Sequence, residues 1–208
     1  MDFLDMGSTL IDETAANKHR IYEMIAGTNI TYHQYMEKKL YNIKQNKPAD
    51  QKAINFFGLT KTPWHKEDEI LYPDAMECLK KLHLFYKTGI IASQSLGSEE
   101  RLRRFGLWEY IDVLAASAKE GVSKPDIRLL EIALEKAECS AKEEAMVGDR
   151  LDNDIVPANQ LGMYTVWIRQ EDWKNAQPRK RIGVPDRMVY TLTQLIENLF
   201  KRYFTDKI

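Results

Sequence analysis

Four short stretches of the chain carry side chains whose chemistry would combine. Asp5 stands in Leu4-Asp5-Met6-Gly7-Ser8-Thr9-Leu10, directly after a short apolar start. The run Gly89–Ala92 ends in the turn Ala92-Ser93-Gln94-Ser95. Lys124 lies in Gly121-Val122-Ser123-Lys124-Pro125-Asp126. The run Ala145–Val147 is closed by Gly148-Asp149-Arg150-Leu151-Asp152-Asn153-Asp154. Brought to one spot, the carboxylates of the two acidic strand ends, at Asp5 and Asp149, suit a magnesium ion, a hard cation that takes oxygen ligands. Lys124, the hydroxyl-rich turn and backbone N–H groups suit a phosphoryl anion.

The elements that must do the gathering are legible as short apolar runs. Met1–Leu4, Gly89–Ala92, Val113–Ala116, Ala145–Val147 and Tyr164–Ile168 read as buried strands, and helix-like stretches separate them. Strand alternating with helix predicts parallel strands joined by crossovers. In such sheets ligands bind outside the carboxyl ends of the strands, where these four stretches fall. Asp74–Tyr86 repeats apolar residues at helical spacing. Ser98 reads as a helix N-cap before Glu99 and Glu100, with Arg103 and Arg104 in the last turn and Gly106 as the stop. Pro125 reads as the opening of a helix through Leu129, Leu130, Ala133 and Ala137. Ser140 and Glu143 have capping-box spacing, and Thr191 to Tyr203 is amphipathic.

Between about Thr14 and Leu71 the alternation stops. Helical periodicity appears at Ile21, Met24 and Ile25 and again at Tyr35, Leu40 and Ile43, bounded by the linker-like Thr62-Pro63-Trp64-His65 and Tyr72-Pro73-Asp74. The expected fold is α/β: a doubly wound parallel sheet of Rossmann type, residues 1–14 and 72–208, with an all-helical insert, residues 15–71. An insert placed directly after the first strand is positioned to cover what that strand presents.

Composition fits a soluble globular protein. The 208 residues are 44% hydrophobic and 29% charged, and 30 Lys+Arg against 31 Asp+Glu leave a formal net charge of -1. That balance gives no global attraction to nucleic acid or to an anionic membrane. Cys78 and Cys139 form no CxxC pair, so neither a disulfide framework nor a zinc site is expected. With no signal-like start and no membrane-length apolar run, the expected address is cytoplasmic. The oligomeric state is left open.

The four stretches, in this order, resemble the four motifs of the haloacid dehalogenase-like hydrolases, and the insert is similar to that family's helical cap. The resemblance runs from Asp5 to about Ile168. It implies that Asp5 attacks phosphorus to form an aspartyl phosphate, which water then hydrolyses. It implies magnesium held by Asp5, Asp149, the supporting Asp154 and the backbone carbonyl of Gly7, with Asn153 or Asp152 nearby. Lys124 would neutralise Asp5 and the transferring group, and the turn at Ser93 and Gln94 would bind the substrate's phosphate. The implied substrate is a small phosphorylated metabolite.

Two departures qualify that implication. The family's phosphatases carry a second aspartate, the general acid/base, where this chain has Gly7. A positioned acid/base contributes on the order of 10²–10⁴-fold, or roughly 3–5.5 kcal/mol of barrier. Alkyl phosphates should suffer most and acyl or aryl phosphates least, and Gly7→Asp is expected to raise alkyl-phosphatase activity. The second departure is at Ala92, where the family expects a hydroxyl that Ser93 offers one residue later. Two alternatives remain open: a weakened member that binds a phosphorylated ligand or a protein partner, and a metal-independent dehalogenase. Among His19, His33, His65 and His83, His19 and His65 are positioned to replace the acid, though packing or surface roles are favoured. Arg179-Lys180-Arg181 reads as a solvated loop rather than a nucleic-acid patch.

Overall fold

The computed structural model describes residues 1–94 and 96–205; Ser95 of the second motif and the last three residues of the expected core lie outside them. The strands are β1 (Asp2–Leu4), β2 (Ile11–Asp12), β3 (Ile70–Leu71), β4 (Thr88–Ala92), β5 (Val113–Ala116), β6 (Ala145–Gly148), β7 (Tyr164–Ile168) and β8 (Arg187–Val189). Among the described residues, six of them form one parallel sheet in the order β5-β4-β1-β6-β7-β8. The order reverses beside β1, which makes the crevice at its carboxyl end the switch point where doubly wound sheets bind ligands. The fold expected from the sequence is the fold observed.

Strand periodicity explains the two-sided core. Leu4, Ile90 and Val147 face one layer; their neighbours Phe3, Ile91 and Met146 face the other. On the first side pack α4 (Ala75–His83), α5 (Ser98–Arg104) and α9 (Leu192–Thr205), through residues such as Leu79, Leu102 and Leu195. On the second pack α7 (Arg128–Ala137) and α8 (Val156–Leu161), through Leu129, Ala133 and Ala158. The short α6 (Ser117–Glu120) follows β5. Burial on both faces is why these strands read as continuous apolar runs.

Between β2 and β3, which pair antiparallel, the chain forms α1 (Thr14–Ile25), α2 (Tyr32–Lys44) and α3 (Ala49–Phe57). Ile21, Met24, Tyr35 and Ile54 give these helices a core of their own. A second cluster ties them to the sheet: Ile43 and Ala49 pack with Leu151, Ile155, Trp167 and Trp173. Buried Lys39 pairs with Asp50 at 3.2 Å and with Asp172, beyond β7, at 3.1 Å. Arg179 is exposed, as expected of a solvated loop, and its Nε also donates to the Lys44 carbonyl at the end of α2, 2.8 Å away, where positive charge complements the helix terminus.

Three local expectations are corrected. Gly97, with φ 96°, precedes α5 and Ser98 is its first residue, because the left-handed turn needs glycine. Pro125 follows a cis peptide bond and α7 begins three residues later, at Arg128, whose N–H donates to Asp126. Ser140 makes no side-chain cap, whereas Thr31 and Gln34 form a reciprocal capping box opening α2. No helix among the described residues is long and apolar enough to cross a membrane.

Candidate active site

Asp5 follows β1 and Asp149 follows β6, the strands on either side of the switch point. Leu4 is in register with Val147, and the Asp5 N–H donates to the Val147 carbonyl at 2.8 Å, so the two carboxylates leave the sheet at one level. Trp167 fixes the Asp149 backbone, its indole N–H donating to the Asp149 carbonyl at 2.7 Å. The chain then enters a wide helical turn over Leu151–Ile155 that folds Asp154 back beneath Asp149. Only glycine permits this. A Cβ on Gly148 would lie 2.4 Å from the Asp154 carboxyl carbon.

Asp5, Asp149 and Asp154 each offer an oxygen within 4.8 Å of the others'. Lys124 sits among them, its Nζ donating to Asp5 Oδ1 at 2.7 Å and to Asp154 Oδ1 at 2.6 Å. Asp154 Oδ2 accepts from the Arg150 N–H at 3.0 Å. Burial, then the carboxylates of Asp154 and Asp5, push the Asp149 carboxyl well above its ordinary pKa. Burial likewise lifts Asp154 to about 6 against the pull of Lys124. Burial alone would lower Lys124, but Asp154 and Asp5 outweigh it and the ammonium is held above its ordinary value. Asp149 is 1% exposed and its Oδ2 has no hydrogen-bond partner. A buried carboxylate oxygen without a partner is costly, and a donor set of carboxylate oxygens is what magnesium binds. The residues fit the ion.

Ser93, one residue past the end of β4, meets Lys124. Ala92 ends β4 buried, and Ser93 Oγ accepts from the Lys124 N–H at 2.9 Å, leaving its own hydrogen to donate. Gln94 Oε1 accepts from Arg101 at 2.8 Å. Both residues line a cavity of about 420 Å³, together with Asp5, Gly7, Asp149 and Asn153. Asp152 instead pairs with Arg150. His19 and His65, placed near the site by position in the sequence, do not line the cavity: they stack on each other at 3.7 Å, His19 bonding Asp68 and His65 bonding Glu23 and Glu67. His33 approaches Glu37, and His83 approaches Asp112.

Sequence reasoning missed Glu13. Its carboxylate occupies the space beside Gly7: a Cβ there would lie 2.6 Å from Glu13 Oε1. Arg101 grips Glu13 at 2.9 Å and buried Glu69 through its Nε at 3.1 Å, and the Glu13 N–H donates to Glu171 at 2.9 Å. Burial raises the Glu13 carboxyl to about 7 against the pull of Arg101. Spacing gave no signal, since Glu13, Glu69 and Arg101 are far apart in the chain.

The model of the haloacid dehalogenase-like hydrolases matches residues 4–168. A glyceraldehyde 3-phosphate phosphatase from Methanopyrus kandleri is 34% identical over 55% of this chain, which spans half of that protein's length. One of the same name from Pyrococcus furiosus is 27% identical over 99% of this chain and 95% of its own. Among solved structures, a HAD phosphatase from Thermococcus onnurineus superposes with a TM-score of 0.66 at 22% identity, over 95% of this chain and 96% of that one.

Proposed function

Because the chain belongs to the haloacid dehalogenase-like hydrolases, we propose that it hydrolyses a small phosphorylated metabolite through an aspartyl phosphate on Asp5. The observation that carries this reading is the convergence of Asp5, Asp149 and Asp154 within 4.8 Å, with Lys124 against Asp5. Relatives named glyceraldehyde 3-phosphate phosphatase support the substrate class.

In this reading an Asp5 oxygen attacks phosphorus and the bond to the leaving oxygen breaks. Lys124 offsets the charge on Asp5 and on the transferring group, while the Ser93 hydroxyl donates to a phosphate oxygen. Asp5, Asp149, Asp154 and the Gly7 carbonyl would hold magnesium, which supplies Lewis-acid stabilisation of the phosphoryl oxygens. Water then attacks phosphorus and frees Asp5. Glu13, standing in the room left at Gly7, is by position the carboxyl that serves the leaving oxygen. The helices of residues 15–71 act as a cap over these groups. The clustering of three carboxylates at metal-binding distances favours metal-assisted phosphoryl transfer over dehalogenation, which needs no metal.

Phosphate release from acetyl phosphate, an aryl phosphate and an alkyl phosphate, measured with and without Mg²⁺, tests the reading. Expected is Mg²⁺-dependent release that Asp5→Asn abolishes. Glu13→Gln should slow the alkyl phosphate by about tenfold or more relative to acetyl phosphate, given what a positioned proton donor contributes. Release unaffected by Asp5→Asn would end the assignment.

A further inference from the structure

Four cationic side chains are buried among the described residues: Arg20, Lys39, Arg101 and Lys124. Three are neutralised within the protein. Lys39 lies between Asp50 and Asp172, Arg101 between Glu13 and Glu69, and Lys124 between Asp5 and Asp154. Arg20, on α1 and only 9% exposed, forms no ion pair with any described residue. Its Nε has no hydrogen-bond partner, and one terminal nitrogen reaches Asn17 at the long distance of 3.5 Å. Asp50, whose charge Arg20 helps to stabilise from further off, is already held by Lys39.

The guanidinium is nevertheless firmly placed. It lies over the Trp64 ring, 4.6 Å from the centroid, and the indole N–H donates to Glu69 at 2.6 Å. Glu69 is in turn held by Arg101 and Arg104, so the platform under Arg20 is anchored to the α/β core. Arg20 lines the same cavity as Asp5 and Ser93, with Asn17 beside it and the exposed Lys61 also on the cavity wall. An uncompensated buried charge is expensive, and a planar guanidinium fork matches a carboxylate or a phosphate in two hydrogen bonds.

We infer that Arg20 forms a second anion subsite, so that the substrate carries a carboxylate or a second phosphate at the end remote from the phosphoryl group attacked by Asp5. This inference rests on the phosphatase reading and narrows it: neutral sugar and alcohol phosphates of the same size are poorer substrates. Asn17 and Lys61 complete the subsite on the cap side, and a cavity of about 420 Å³ has room for a short substrate joining the two anion sites.

The test compares glycerate 3-phosphate (carboxylate) and ribulose 1,5-bisphosphate (second phosphate) with glycerol 3-phosphate (neutral), using Mg²⁺-loaded protein. The wild type should favour one or both anionic substrates in kcat/KM. Arg20→Gln should lower the anionic-to-neutral ratio by about 10- to 100-fold, the scale of a charge-assisted hydrogen bond. Arg20→Lys should recover part of it. Which of the two is favoured identifies the anion. Calorimetric binding of the same compounds to Mg²⁺-loaded Asp5→Asn protein, with and without Arg20→Gln, reads the subsite independently of turnover. Phosphate release unaffected by Asp5→Asn would sink the phosphatase reading alone. An unchanged anionic-to-neutral ratio, in turnover or in binding, would overturn the Arg20 assignment.

Discussion

Glu13 and Gly7 compete for one volume: the Glu13 carboxylate lies where a side chain at residue 7 would begin, 2.6 Å from an ideal Cβ. Gly7→Asp therefore does not simply restore the family's second aspartate, as the sequence led one to expect. It drives a second carboxyl group into the one that Arg101 holds in place. Overpacking of this kind costs about 1–3 kcal/mol. Thermal melting should show Gly7→Asp destabilised and no faster on alkyl phosphates, with both defects eased when Glu13→Ala is added. A stable, faster single variant would mean that Glu13 moves freely.

The unpartnered Asp149 oxygen makes a prediction about metal that needs no substrate. Mg²⁺ should raise the melting temperature of the free protein. At a hundred times its dissociation constant, a ligand specific to the folded state adds about 2.7 kcal/mol. Asp149→Asn should remove most of that rise. Equal Mg²⁺ stabilisation of both proteins would place the ion elsewhere.

Lys124→Met leaves Asp5 and Asp154 facing each other without their shared cation. Removing one partner of a buried pair costs about 3–5 kcal/mol, so urea unfolding in a chelator should show a loss on that scale. Adding Mg²⁺ should return part of it. A loss below about 1 kcal/mol would show that water already screens the cluster.

His65 gives the helices of residues 15–71 a dependence on pH. Its pKa is raised above the ordinary 6.5, first by the hydrogen bond to Glu23 and then by that to Glu67. His19 stacks on its ring, and Asp68 lies beyond His19. A group bound more tightly to its proton in the folded state stabilises fully below the unfolded value, and the effect fades as pH rises through the folded value. The melting temperature should therefore drop on going upward from about pH 6.5, and His65→Gln should flatten that slope. A wild-type profile that rises through the same window would contradict the assignment.

What could be read from the sequence follows from how each feature is encoded. Gly89–Ala92 and Ala145–Val147 were legible because strands covered on both sides must be apolar along their whole length. Asp5, Lys124 and Asp149 were legible because each follows such a run or sits at a motif's spacing. Glu13 and Arg20 were not, since a charged residue at the cap or in the middle of an amphipathic helix looks like any solvated one. Their meaning lies in partners distant in the chain, Arg101 for one and Trp64 for the other. Pro125 misled because a proline that opens a helix and one that shapes a turn share the same letter, and only the backbone distinguishes them.

The ladder between Ile11–Asp12 and Ile70–Leu71 places departure and return of the chain side by side. Whatever is threaded through so narrow a doorway can lengthen, shorten or be exchanged without any strand of the main sheet changing its neighbour. Glu13 and Glu69 stand just inside that doorway, so an exchanged insert would have to bring its own carboxyl to the space beside Gly7 and its own partner for Arg101.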